Sequence, residues 1–166
     1  MILGMSTATF TVLHVVVSLV GILSGAIVLV GMLGSKRSHG WTALFLASTV
    51  LTSVSGFFFP RDHLLPSHIV GIISLVVLAA AILALYAYRL AGAWRPVYVA
   101  GAVAALYLNV FVAVVQAFLK LSVLKPLAPT QSEPPFLIAQ LAVMVIFVVL
   151  GVAAIRSFHP EANATT

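Results

Sequence analysis

The chain has 166 residues, 63% of them hydrophobic and 7% charged, with a mean hydropathy of +1.23. A soluble domain carries about a quarter charged residues, so this composition excludes a water-facing surface and leaves no length for a separate soluble catalytic or sensory domain. Eight Lys and Arg against three acids give a formal net charge of +5, which in so apolar a chain reports membrane topology and contact with anionic lipid, with no nucleic acid as partner.

Five apolar runs fill the chain: Thr9 to Leu33, Trp41 to Phe59, His68 to Tyr88, Val97 to Leu119 and Phe136 to Ile155. Each is close to the ~20 residues a helix needs to cross about 30 Å of hydrocarbon at about 1.5 Å per residue. The expected fold is therefore all-α, an integral membrane bundle of five transmembrane helices forming a single domain. The first run is expected to be a retained span and not a cleaved leader. No basic residue precedes Thr9, and the run exceeds an ordinary signal core. Between the runs lie Gly34 to Gly40, Pro60 to Pro66, Arg89 to Pro96 and the longer Lys120 to Pro135, with prolines marking several span ends.

Alternate breaks differ in charge. Lys36, Arg37, Arg89, Arg95 and Arg156 fall on one side, and Arg61, Lys120 and Lys125 on the other. The positive-inside rule then predicts an inner membrane protein with the amino terminus outside and the carboxyl terminus in the cytoplasm. Trp41, Tyr88, Trp94 and Tyr98 would lie at the inner interface, where amphipathic rings settle. The His14 to Trp41 spacing of 27 residues nearly repeats in the 26 from His68 to Trp94, which suggests two tandem hairpins with a fifth helix added.

Packing of small residues decides which faces of membrane helices meet. His14, Ser18, Gly21 and Gly25 form one stripe on the first span, including a Gly-x-x-x-Gly pair, and Ser48, Thr52 and Ser55 form another on the second. On the fourth, Ala102, Ala105, Asn109, Ala113 and Gln116 share a face, which would turn Asn109 and Gln116 into the bundle. Gln140 heads a similar stripe with Met144, Phe147 and Gly151 on the fifth. These stripes read either as helix packing or as the lining of a cavity.

Under this topology His14, His63 and His68 gather at the outer ends of three spans, with Asp62 and Glu133 on the same side. Imidazoles ligate zinc, copper or iron, carboxylates can complete such sites, and two facing histidines hold haem axially. No His-x-x-x-His or Glu-x-x-His motif is present, so a site would be assembled from separate helices. Interfacial histidines bonded to neighbouring carbonyls, or a proton-responsive role, are the competing readings. The absence of cysteine excludes thiolate metal sites, iron–sulfur clusters and thiol catalysis. The fourth break, with Leu121, Val123, Leu124 and Leu127 beside Lys120 and Lys125, reads as an interfacial segment acting as a strap or as a lid over the histidines.

The stretch Asn109 to Gln116, followed by Pro126-Leu-Ala-Pro-Thr-Gln-Ser-Glu-Pro-Pro-Phe136, is similar to a segment of small uncharacterised bacterial inner-membrane proteins. The resemblance implies a multi-pass bundle and carries no activity with it. Three classes stay open: a structural or accessory subunit with a membrane-protein partner or a second copy, a haem- or metal-binding redox or assembly protein, and a small transporter or channel. Nothing in the sequence resembles a nucleotide-binding, hydrolase or kinase motif.

Overall fold

The computed structural model describes residue 2 and residues 4–59 and 66–160. Among them are five α-helices and no strand: α1 (Thr7–Leu33), α2 (His39–Gly56), α3 (Pro66–Ile82), α4 (Trp94–Lys120) and α5 (Pro134–Ser157). A π-helical segment, Leu83–Ala87, prolongs α3, and a short 3-10 turn, Lys125–Leu127, lies between α4 and α5.

Four stretches are long and apolar enough to cross a membrane: Thr7–Leu33, His68–Ala87, Trp94–Lys120 and Pro134–Ser157. Four of the five expected spans thus meet that measure, and the run that forms α2 does not. The second run does form a helix, but α2 has 18 residues and spends six of them on Ser and Thr, which lowers its hydropathy.

Helix ends follow local chemistry. Ser6 caps α1, its hydroxyl accepting from the Thr9 N–H at 3.1 Å. The last turn of α1 closes with the Lys36 N–H on the Gly31 carbonyl (2.8 Å) and the Ser35 N–H on the Met32 carbonyl (3.1 Å). That pairing needs a left-handed residue, here Ser35 at φ 54° where glycine is usual. The hairpin between α3 and α4 closes differently. Tyr88 donates to the Leu83 carbonyl and Leu90 to the Ala84 carbonyl, and Tyr88 stacks on Trp94 at 3.8 Å between centroids. Pro134 and Pro135 open α5, where missing N–H groups cost nothing.

Successive helices are antiparallel, α1 and α2 share the most extensive contact, and α4 touches the other four. The bundle thus has a basic end, carrying residues 34–38, 88–93 and 158–160, and a histidine end, carrying the starts of α1, α3 and α5. Its main core sits toward the basic end: Met32, Phe45, Leu78, Leu85, Tyr98, Val99, Ala105, Ala154 and Phe158 are nearly solvent-free. At the histidine end a smaller cluster of Phe118, Ala128 and Phe136 ties the α4–α5 connection down.

Candidate functional site

At the histidine end α1 positions His14 so that its Nδ1 lies 2.7 Å from the Ser55 hydroxyl of α2. The ring meets Phe59 edge-on at 5.3 Å, and Phe59 meets Phe10 at 5.1 Å. His68, buried at the start of α3, stacks on Phe57 at 5.5 Å. Both imidazoles therefore rest against the end of α2 and the residues following it. His63 and Asp62 lie outside the described residues. Glu133 is engaged locally. Its carboxylate accepts from the Thr130 hydroxyl (2.8 Å) and from the Thr130 and Ser132 N–H groups (3.2 and 3.1 Å). Desolvation opposes ionisation, but these bonds outweigh it and hold the carboxyl below its ordinary range. Among the described residues no three His, Asp or Glu side chains converge as a metal site.

The stripes on α1 and α2 meet each other. Ser18 donates back to the His14 carbonyl (2.7 Å), and Ser48 to that of Leu44 (2.6 Å). A methyl at Gly21 would stand 3.2 Å from the Thr49 hydroxyl and 3.4 Å from the Asn109 amide. Asn109 itself donates to Thr49 (3.2 Å), and Ser53 to Ser74 of α3 (3.1 Å). Gln140 donates to the Phe111 carbonyl (3.2 Å), while its Oε1 is buried without a partner. Gln116 departs from the expectation: its side chain is exposed, as is Ala113. The main core along α4 ends near Leu106 and Val110, and beyond it α4 packs through Val114, Val115 and Phe118, which leaves the face with Ala113 and Gln116 exposed. The connection after α4 lies on α4 and α5, Gln131 donating to the Val115 carbonyl at 3.0 Å, which is strap geometry.

An opening lies at the other end. A cavity of about 440 Å³ is walled by Ile27, Val30 and Met32 of α1, Lys36, Arg37 and Ser38 of the connection, Thr42 of α2, Tyr98 of α4 and Phe158. The tail helps build it: Arg95 donates to the Phe158 carbonyl, and the His159 N–H to the Ser35 hydroxyl at 2.9 Å. The Nε of Arg37 is out of contact with solvent and has no hydrogen-bond partner. Sequence reasoning used Lys36 and Arg37 only to orient the chain. The signal available was a basic pair between Gly34 and a helix start, yet nothing in the sequence ties it to Tyr98 or Phe158.

No family model, curated protein or solved structure matches the chain. The helical architecture of the described residues, with four helices long and apolar enough to cross a membrane, points to a multi-pass membrane protein in a lipid environment.

Proposed function

We propose that this protein is a structural or accessory component of a cell membrane, crossing it five times with its basic end in the cytoplasm and its amino terminus outside. The observation that carries this reading is the use of interior polar groups as helix-to-helix contacts: His14 with Ser55, Asn109 with Thr49, Ser53 with Ser74 and Gln140 with Phe111. Such bonds stabilise a membrane bundle by about 0.6 kcal/mol each and commit the same groups against turnover or transport. Charge asymmetry between the ends supports the orientation. Antiparallel packing along α1, from Ser55 beside His14 to Thr42 and Met32 on one cavity wall, supports a crossing by α2.

A partner is supported by Gln116. Its amide faces outward about one turn below the end of α4, beside the small Ala113, and hydrocarbon offers it no hydrogen bond. Purification in mild detergent from native membranes is expected to yield a stoichiometric membrane partner or a second copy. Gln116→Leu should weaken that association while leaving the isolated chain folded. A monodisperse single chain from native membranes would overturn the proposal.

The cofactor reading draws on two imidazoles resting against one end of α2. It expects a Soret band or bound transition metal that disappears in the His14→Ala, His68→Ala double variant. A colourless, metal-free preparation from cells supplied with haem and metals would remove it.

A further inference from the structure

At the basic end the geometry points to a site for one anionic phospholipid, its phosphate held between Arg37, Lys36 and the first turn of α2 and one acyl chain lying along Ile27 and Val30 of α1. The cavity there, about 440 Å³, is in the size range of pockets that enclose small ligands. Two cations, Lys36 and Arg37, share its wall with the hydroxyl-bearing Ser38, Thr42 and Tyr98.

Arg37 supplies the electrostatic argument. Its guanidinium is always charged, and its Nε is shut away from water with no partner within the described residues. An N–H of a charged group shut from water without a partner is costly, and an oxyanion would match it. Among the described residues the one acid is Glu133, which is committed to Thr130 and Ser132 at the opposite end of the bundle.

A second, independent feature is the helix that begins at the cavity. Ser38 stands at the N-cap of α2 without a side-chain cap bond, and the first turn of α2 holds no acid. The first N–H groups of any helix lack helical acceptors and attract anions. The hydroxyl and guanidinium therefore face a region of positive potential that nothing in the described chain neutralises.

The apolar wall selects among phosphates. Ile27 and Val30 line the cavity and are 42% and 70% exposed, and Leu23, 66% exposed, continues the same strip along α1 away from the cations. A free phosphate has no use for that strip. An amphiphile whose charge sits at headgroup depth and whose chain descends beside α1 satisfies both halves of the wall.

The test uses the full chain in mild detergent with three probes: dioleoylphosphatidylglycerol, dioleoylphosphatidylcholine and inorganic phosphate. Native mass spectrometry and thermal melting are expected to show retention of the anionic lipid with a raised melting temperature, and little response to the other two. Arg37→Gln should weaken retention about tenfold, the loss of a charge-assisted contact, with Lys36→Gln weaker in effect. Arg37→Lys, which keeps the charge but not the fork, should fall between and covers the case in which the Gln variant fails to fold. The tail acid Glu161 lies outside the described residues, and Glu161→Gln should leave lipid retention in place. Equal retention of the zwitterionic lipid, a full melting shift from inorganic phosphate alone, or unaltered binding by both Arg37 variants would overturn the site.

Discussion

Replacing Gly25 by alanine tests how closely α1, α2 and α4 approach. A methyl there would stand 2.7 Å from Leu106 Cδ1 and 2.8 Å from the Phe45 ring, where ordinary contact starts at 3.4 Å. Phe45 is 1% exposed and Leu106 3%, so neither moves into open space. Overpacking of this kind costs about 1–3 kcal/mol, whereas Gly→Ala inside a helix returns about 1 kcal/mol through backbone entropy. The net expectation is a destabilisation of about 1 kcal/mol, opposite in sign to the intrinsic preference. Truncating Leu106 to alanine first should make room, so that the same substitution becomes neutral or stabilising. The coupling between the two changes should be about 1–2 kcal/mol. Reversible unfolding of the four proteins in mixed micelles, followed by steric trapping, gives all the terms. If Gly25→Ala stabilises the parent, or costs the same with and without Leu106, the three helices do not meet as described.

Gly101→Ala is a harder insertion than Gly21→Ala. At Gly101 the methyl meets Ala81 Cβ at 3.0 Å and the Val77 carbonyl at 3.2 Å, where α3 itself must retreat, whereas at Gly21 its nearest neighbours are hydroxyl and amide ends. The first should lose about 1–3 kcal/mol in the same unfolding assay and the second should be near neutral; equal effects would count against the α3–α4 contact. The Glu133 carboxyl, held below its ordinary range in the folded chain, contributes order that is present above the unfolded glutamate pKa. That order is lost as pH falls through the depressed folded value. Protection of the Thr130 and Ser132 amides, taken relative to their intrinsic exchange rates, should therefore fall in acid, and Glu133→Gln should abolish that fall; acid-insensitive protection in the parent would refute the turn's dependence on the carboxylate.

The helices were legible because hydrocarbon imposes a length. The observed α1, α4 and α5 start two or three residues before their apolar runs, at Thr7, Trp94 and Pro134, since caps and first turns need no apolar side chains. The stripe through His14, Gly21 and Gly25 was also legible, because a period near 3.6 places those residues on one face and small residues mark close approach. The same rule misplaced Gln116. It reads a face but not how far along the helix a neighbour remains, and beyond Val110 α4 packs through Val114, Val115 and Phe118 instead, leaving the Ala113 and Gln116 face exposed. The basic-end cavity was not legible at all. Arg37, Tyr98 and Phe158 come from a connection, a fourth helix and a tail, and only tertiary packing brings them to one wall.

The helix that hydropathy ranks lowest is nonetheless packed on several sides, since α2 lies against α1, α3 and α4. A hydropathy sum charges each hydroxyl as if it faced hydrocarbon, yet Ser48 and Ser55 donate to carbonyls of their own helix, Ser53 to Ser74, and Thr49 accepts from Asn109. Satisfied in this way, a hydroxyl loses most of its transfer penalty. Thr52 is the exception, its Oγ1 buried without a partner. Thr52→Val, which keeps the shape and deletes the orphan, should stabilise the bundle by about 1 kcal/mol, and Thr49→Val, which strands the Asn109 amide, should cost about 1–2 kcal/mol. The two residues are one turn apart on one helix, so the contrast isolates hydrogen-bond satisfaction from hydrophobicity. Equal shifts of the same sign would mean that α2 is held by bulk apolarity alone, and its low hydropathy would then argue against a crossing.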